Sequence, residues 1–252
     1  MMILVWFRFQ VQGGKRDSEN RLFLHSCRII FDMVTKSAKN MGLPRDVPFD
    51  YQLAMDRLRD FRAPRDKLHR LCESGEVIQV KRGLYIAGSL GDEAATVDPR
   101  VLSGLVYGPS YVSLETALAH YGMIPERVEE ITCMTSKRTR SFETPVGRFR
   151  YLPVPERAFA IGVTREGAKG GAYLLALPEK ALCDRIAQVR GLDAQREMPP
   201  FLLEDLRLEE DGLDELDVGL IDSIAAVYRR TSVTVFAKWL GKRNARRRPV
   251  AS

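Results

Sequence analysis

Residues 49–86 read FDYQLAMDRLRDFRAPRDKLHRLCESGEVIQVKRGLYI, and this stretch decides the fold of the N-terminal part. Apolar residues recur at helical spacing over residues 51–61, so the pattern predicts a short amphipathic helix with Asp50 as its N-cap. Pro64 suits the first position of a second helix, because its missing N–H group has no partner there. This second helix is expected to run to about Glu73.

Two short β-rich runs follow, Val77–Val80 and Leu84–Ile86, with Lys81-Arg82-Gly83 between them. A glycine turn between such runs is typical of a hairpin. Helix, turn, helix and hairpin together predict a winged helix-turn-helix over residues 49–90. In that fold the second helix enters the major groove of DNA and the hairpin tip contacts the backbone or the minor groove. Residues 45–82 hold nine bases and seven acids, a net charge of +2, so a structural or protein-binding wing stays open as the alternative.

Seven residues of this unit are the candidate DNA contacts: Arg62, Arg65, Lys67, His69, Arg70, Lys81 and Arg82. We expect Arg65 and Arg70 to read bases, because arginine can give two parallel hydrogen bonds to guanine, and Lys67 to contact phosphate. The two cations of the hairpin tip have few structural duties there, so phosphate contact is their expected role. The alternative for the helix is a solvated face on which Asp66 and Glu73 pair with the cations.

The larger C-terminal part, residues 91–241, is predicted to be an α+β domain with antiparallel strands followed by C-terminal helices. A polar linker at residues 91–99 marks its boundary. Helical spacing predicts one helix within residues 111–121 and another over residues 179–189. The predicted strands cover residues 130–135, 140–144, 147–152, 159–163 and 172–176.

A second basic cluster lies on these predicted strands: Lys137, Arg138, Arg140, Arg148 and Arg150. We interpret it as a second basic face that extends a DNA footprint or receives an acidic or nucleic-acid partner. Cross-strand cations on an exposed sheet face, without any ligand, are the alternative.

Charge is also asymmetric near the C-terminus. Residues 201–222 hold nine acids and one base, a net charge of −8, whereas residues 229–248 hold eight bases and no acid, a net charge of +8. Two helices that pair with each other, or a basic tail kept free for nucleic acid, would explain this pattern. We expect an amphipathic helix with a solvated face in the acidic part and an unstructured basic tail over residues 242–252.

The chain as a whole has 252 residues, with 39 Lys and Arg against 33 Asp and Glu, a net charge of +6 that permits an anionic partner without requiring one. Its four cysteines form no C-x-x-C pair, and its three histidines lie at no ligand spacing from them, so we expect no metal, no cofactor and a reduced cytoplasmic protein.

The apolar start Met1–Phe9 is too short to span a bilayer and lacks the features of a signal peptide, so we expect no membrane association. Residues 1–48 are an N-terminal extension of uncertain structure, and Met33 is a candidate for the true start.

Several strings in order resemble the AbiEi-type antitoxins of type IV toxin–antitoxin systems, which act in abortive infection as phage defence. The strings are KRGLY at residues 81–85, VYGPSYVSLETAL at 106–118, YGMIPE at 121–126, TPVG at 144–147 followed by Phe149, LPEKALCD at 177–184 and EDLR at 204–207. The resemblance runs from about residue 49 to about residue 240.

The resemblance implies a winged-helix domain joined to a C-terminal antitoxin domain. It also implies a transcriptional regulator that binds inverted repeats in its own promoter, with a homodimer on the DNA as a possibility, and represses its operon. The implied functional partner is a nucleotidyltransferase-like toxin, which such antitoxins antagonise without necessarily forming a stable complex. The alternative is a protein-interaction module that acts on the toxin or its target with little DNA binding.

We expect no enzyme activity. A nucleotidyltransferase needs two metal-binding carboxylates after a Gly-Ser pair, but Gly88-Ser89 is followed by Asp98 and then by Arg100 in the second place. The adjacent Glu179 and Lys180 lack the strand spacing of a nuclease Glu-x-Lys motif.

Overall fold

A computed structural model describes residues 42–88, 97–126 and 128–247. Among these residues the chain is an α+β protein with one small and one large sheet. Most of the predicted N-terminal extension, including Met33, and most of the predicted linker at residues 91–99 lie outside the described residues.

The two helices and the hairpin of the N-terminal unit follow in the predicted order, and a two-residue strand that was not predicted precedes them. The members of the unit are β1 (Phe49–Asp50), α1 (Tyr51–Arg57), α2 (Pro64–Glu73), β2 (Val77–Lys81) and β3 (Leu84–Ala87). The Asp50 carboxylate accepts the Leu53 N–H at 2.8 Å and so caps α1. Helix α1 is shorter than predicted, because the chain leaves the helix at Leu58, before the apolar spacing ends at Phe61.

The three short strands form an antiparallel sheet in the order β1-β3-β2, and both faces of its central strand are covered. Tyr85 stacks on Phe49 of β1 with ring centroids 5.9 Å apart. Leu84 and Ile86 point the other way, since side chains alternate along a strand, and they belong to the main hydrophobic core. The hairpin therefore connects the two helices to the rest of the molecule, and the described residues from Pro44 onward form one compact unit.

The large sheet has six strands in the order β6-β7-β5-β4-β9-β8. They are β4 (Ser110–Val112), β5 (Glu130–Thr135), β6 (Arg140–Thr144), β7 (Gly147–Pro153), β8 (Val163–Ala168) and β9 (Gly171–Ala176). The prediction of antiparallel strands is wrong for two pairs, because β5 runs parallel to β7 and β4 runs parallel to β9. The outer strands form two hairpins, β6–β7 and β8–β9. In each hairpin the second strand lies next to a central strand, β7 next to β5 and β9 next to β4, and this pairing is parallel.

Two of the predicted elements in this sheet need correction. Residues 111 and 112 belong to strand β4 and not to the helix, which begins only at Leu114. All three residues of β4 are buried, so their side chains show no alternation between buried and exposed positions. A run this short cannot be assigned to a strand or a helix from the spacing of its apolar residues. The strand predicted at residues 159–163 is also misplaced, since a 3-10 turn covers Glu156–Ala158 and β8 begins at Val163.

The described residues from Pro99 onward also form six helices: α3 (Pro99–Val106), α4 (Leu114–His120), α5 (Pro178–Gln188), α6 (Glu210–Asp214), α7 (Val218–Tyr228) and α8 (Thr231–Arg247). A 3-10 turn at Gln195–Glu197 and a π-helical turn at Pro200–Asp205 precede α6.

The expected unstructured basic tail is wrong for residues 242–247, because α8 continues through them. Arg243 lies in an ion pair with Glu210, 3.3 Å away, and bonds to Asp214. The acidic and basic segments therefore pair with each other, which was one of the two explanations for their asymmetry. Residues 248–252 lie outside the described part of the chain.

Two neighbouring glycines give a matched test of the packing at the end of α3. A Cβ atom at Gly108 would lie 2.5 Å from the Gly104 carbonyl oxygen, whereas a Cβ atom at Gly104 would meet nothing within 4 Å. Gly108→Ala should therefore lower the free energy of unfolding by about 1–3 kcal/mol, and Gly104→Ala should raise it by up to about 1 kcal/mol through helix propensity. Urea unfolding of both variants checks this, and equal effects would contradict the packing described.

Candidate nucleic-acid interface

The outward face of α2 carries most of the residues predicted to contact DNA. Leu68 and Leu71 are buried, which leaves one exposed face to the solvent. At 3.6 residues per turn, Arg65 and Arg70 lie about 140° apart, at the two edges of this face. Between them lie two acids and a histidine, namely Asp66, His69 and Glu73. The face therefore has mixed charge, with its cations at the edges.

The individual cations of this helix differ in their contacts. His69 Nε2 lies 3.3 Å from a Glu73 carboxylate oxygen, and the Arg70 Nε–H donates to the Asp66 carbonyl at 3.2 Å. Lys67 is half-buried, with its Nζ 5.4 Å from the centroid of the Phe61 ring. These three side chains are therefore already engaged within the helix or its preceding turn.

Arg62 and Arg65 are exposed at the start of α2. Among the described residues neither has an ion-pair partner. Ala63, which precedes the helix, supplies no side-chain cap. The N-terminal end of a helix carries partial positive charge from its N–H groups, which adds to the charge of the two arginines, while Asp66 in the first turn offsets part of it.

The two cations of the hairpin tip differ from each other. Arg82 is exposed, whereas Lys81 is half-buried and its Nζ donates to the Val106 carbonyl at 2.7 Å. Burial and the nearby charge of Lys137 lower the pKa of Lys81. The expectation that both tip cations have few structural duties does not hold for Lys81, which ties the hairpin to the end of α3.

The second basic cluster does not form one face. Residues directly opposite each other in neighbouring strands share a face, and Arg140 lies opposite the buried Tyr151. Arg148 and Arg150 alternate with buried residues of β7, so they project from the other face of the sheet. Arg148 lies 3.6 Å from the Glu129 carboxylate and has acids opposite it on both neighbouring strands.

Two of the remaining cations of that cluster, Lys137 and Arg140, lie near one aromatic ring. Lys137 Nζ lies 5.2 Å and the Arg140 guanidinium 5.9 Å from the centroid of the Tyr107 ring. The Tyr107 hydroxyl donates to the Arg138 carbonyl at 3.4 Å, and Lys137 Nζ donates to the Gly108 carbonyl. Since Lys81 bonds to Val106, the hairpin tip and the β5–β6 turn meet on the same three-residue segment. We name these cations the tip–turn patch: Lys81, Arg82, Lys137, Arg138 and Arg140.

A separate polar cluster lies in the centre of the molecule and was not predicted as a unit. Lys180 and Asp184, one turn apart on α5, are fully buried with Nζ 3.2 Å from Oδ1. Lys180 Nζ also donates to the Ala158 carbonyl at 2.8 Å and lies 4.7 Å from the Tyr228 ring centroid.

The Asp184 carboxylate receives three hydroxyl groups. Tyr111 and Ser113 donate to its Oδ2 at 2.9 and 2.6 Å, and Tyr228 donates to its Oδ1. Burial, followed by the Asp184 charge, raises the pKa of both tyrosines well above its usual range, so both remain donors. All five side chains are buried and satisfied, which makes this network a structural element rather than an open site.

All members of this network except Tyr228 lie in two strings that the sequence analysis singled out. Residues 106–118 and 177–184 contain Tyr111, Ser113 and the buried ion pair. The i,i+4 spacing of Lys180 and Asp184 was the one signal in the sequence for this pair.

Neither a membrane helix nor a metal cluster is found in the described part of the chain. Each helix there is too short or too polar to cross a bilayer. Likewise, no group of three or more His, Cys, Asp or Glu side chains in those ranges is arranged as metal ligands would be.

Comparison with known proteins supports the fold. No protein-family model and no curated protein matches the sequence. The structure is similar to the crystal structure of the RV2827C protein from Mycobacterium tuberculosis, with a TM-score of 0.56 and 16% sequence identity over 84% of this chain and 75% of that chain. At this identity the similarity shows the α+β fold alone.

The buried ion pair gives a stability prediction. Lys180→Met leaves the Asp184 charge buried without its cation, and should lower the free energy of unfolding by about 3–5 kcal/mol. Arg59→Ala, which removes the exposed partner of Asp56, should cost less than about 1 kcal/mol.

Adding Asp184→Asn to Lys180→Met should cost less than the sum of the two single changes, because the charges are coupled. Urea unfolding of the single and double variants measures this coupling. Strict additivity, or a loss below about 1 kcal/mol for Lys180→Met, would contradict a coupled buried pair.

Proposed function

We propose that residues 49–87 act as a winged helix that binds duplex DNA, and that the protein is an antitoxin that represses its own operon. The observation that carries the DNA-binding part is the pair of exposed arginines, Arg62 and Arg65, without ion-pair partners among the described residues at the start of α2. Helix α2 packs against β2, whose hairpin ends in the exposed Arg82. This arrangement fits a helix in the major groove with a hairpin on the adjacent backbone.

Each cation then has its own role. Arg65 and Arg70 contact base edges, with Arg70 exchanging its bond to the Asp66 carbonyl for a bond to DNA. Arg62, Lys67 and Arg82 contact phosphates, and Lys81 contributes its charge while it remains bonded to Val106. His69, paired with Glu73, contributes least.

The antitoxin part of the proposal is supported by the family resemblance. In such systems the regulator binds inverted repeats, so two protomers would contact one operator. The partner is a nucleotidyltransferase-like toxin, which this chain would antagonise without the need for a stable complex. The protein would have no catalytic role of its own.

A second candidate is a protein-docking module, which the mixed charge of the α2 face favours. Asp66 and Glu73 lie in the middle of that face and would repel the DNA backbone. They would instead complement a partner protein with basic residues. Co-purification with the product of the neighbouring gene, without binding to promoter DNA, is the result that favours this candidate.

DNA binding is tested by fluorescence anisotropy on a duplex from the chain's own promoter and on a scrambled duplex. If two protomers each neutralise about four phosphates, log K against log salt should have a slope of roughly −7. Arg65→Ala and Arg70→Ala should reduce discrimination between the duplexes by about 1–3 kcal/mol, whereas Arg82→Ala should weaken both alike.

The control for this test is Arg165→Ala. Arg165 is an exposed arginine on β8, at the sheet edge opposite β6, and its loss should leave both affinities unchanged. A flat salt response would contradict DNA binding. Equal effects of Arg65→Ala and Arg82→Ala on discrimination would contradict the assigned roles.

Antitoxin activity is tested by co-expression with the nucleotidyltransferase-like protein from the neighbouring gene. We expect the wild-type chain to restore growth of cells in which that protein is toxic. A variant with both Arg65→Ala and Arg70→Ala should still restore growth from a heterologous promoter but fail to repress a reporter under its own promoter, because the two activities use different parts of the chain. Absence of growth restoration by the wild-type chain would contradict the antitoxin assignment.

A further inference from the structure

The β5–β6 turn continues the positive surface of the hairpin tip. We propose that Arg138 and Arg140, with Lys137 beside them, contact the same DNA backbone as Arg82, so that the tip–turn patch is one phosphate-binding surface. The proposal rests on the proposed DNA binding of the winged helix and names a second part of the chain that takes part in it.

The first argument is the concentration of like charge. Lys81 and Lys137 donate to the carbonyls of Val106 and Gly108, two residues apart, so their ammonium groups are held in the same neighbourhood. The Lys137 charge contributes to the lowered pKa of Lys81, which is the electrostatic sign of this proximity. None of the five cations of the patch has an ion-pair partner among the described residues. An anion that binds here relieves the repulsion and compensates the charge.

The second argument is the support beneath the cations. The Tyr107 ring contacts Lys137 and Arg140, and it packs edge-on against Tyr151 with centroids 5.2 Å apart. The charged groups of Lys137 and Arg140 therefore lie against a packed aromatic cluster, while both side chains remain exposed. Side chains held in this way lose less conformational entropy when they bind a phosphate.

The third argument is the fixed position of the hairpin. Its inner residues belong to the main core, and Lys81 bonds it to the end of α3. Hairpin tip and β5–β6 turn are thus parts of one compact unit. A DNA backbone that contacts Arg82 would therefore continue across the adjacent surface that carries Arg138 and Arg140.

Arg148 and Arg150 supply a matched comparison on the same pair of strands. They project from the opposite face of the sheet from Arg140, and acids surround Arg148. The same change of charge at these two positions therefore lies outside the patch.

The test compares Arg138→Gln/Arg140→Gln with Arg148→Gln/Arg150→Gln in anisotropy titrations on the promoter duplex and the scrambled duplex. The first double variant should weaken binding to both duplexes by the same factor and make the salt slope less negative by about 1.8 per protomer, the value for two lost phosphate contacts. The second should bind as the wild type does. Lys137 is left unchanged because it bonds to Gly108.

Hydroxyl-radical footprinting gives a second readout, in which Arg138→Gln/Arg140→Gln should lose protection at backbone positions beside those that Arg82→Ala loses. Thermal melting shows whether the double variant folds. If it does not, the single variant Arg138→Gln, which changes an exposed side chain, is tested in its place. If both double variants have the same effect, or neither has any, while Arg65→Ala and Arg82→Ala weaken binding, the patch proposal fails and the winged-helix proposal stands. If the wild-type chain binds neither duplex, both fail.

Discussion

The buried ammonium group of Lys180, 3.2 Å from the Asp184 carboxylate, is the interaction on which the rest of the structure depends. Removing both charges from water is costly, and the pair is tolerated because three hydroxyls and one backbone carbonyl complete its hydrogen bonds. These partners come from β4, from Ser113 directly after it, from α7 and from the 3-10 turn before β8. The network thereby fixes α5 against β4, one of the two central strands of the large sheet. Strand β4 begins two residues after Gly108, and the carbonyls of Val106 and Gly108 accept bonds from Lys81 and Lys137. The buried network therefore also holds the segment to which these two surface cations bond.

The distribution of charge separates the cations that lie in ion pairs from those that have no ion-pair partner among the described residues. Arg243 pairs with the acidic segment at Glu210 and Asp214, and Arg148 with Glu129. In the described ranges, the basic residues without an ion pair include Arg62 and Arg65 at the start of α2 and the five cations of the tip–turn patch. This is why the modest net charge of +6 is compatible with a local anion-binding surface.

Local signals made much of the fold predictable from the sequence. Pro64 and Glu73 bound α2 as predicted, Asp50 caps α1, and β5 and β6 have the predicted bounds. These elements begin or end at residues with strong local preferences, such as proline or a capping aspartate, or have a regular spacing of apolar residues. In contrast, β4 and the parallel pairing of strands depend on contacts between distant residues, which no local period encodes. The same holds for the buried network, whose members lie up to 117 positions apart in the chain, from residue 111 to residue 228.

The sequence predicted which cations belong to the candidate site, but it did not predict which of them share a surface. The sequence placed Arg140 with Arg148 and Arg150, because all three lie on neighbouring strands. The strand register separates them, since Arg140 shares the face of Tyr151 while the other two project from the opposite face. Conversely, Lys81 and Lys137 are far apart in the chain and meet only because both bond to the segment after α3.

Amide hydrogen exchange of the full chain, measured with and without its promoter duplex, tests the central claim most directly, namely that α2 and the hairpin tip face DNA. The account predicts slower exchange in residues 65–73 and 81–83 when the duplex is present, with β8 and β9 unchanged, because backbone amides under a bound duplex are shielded and held in place. Slower exchange confined to β8 and β9, or no change in α2 and the hairpin tip under conditions of saturating duplex, would contradict it.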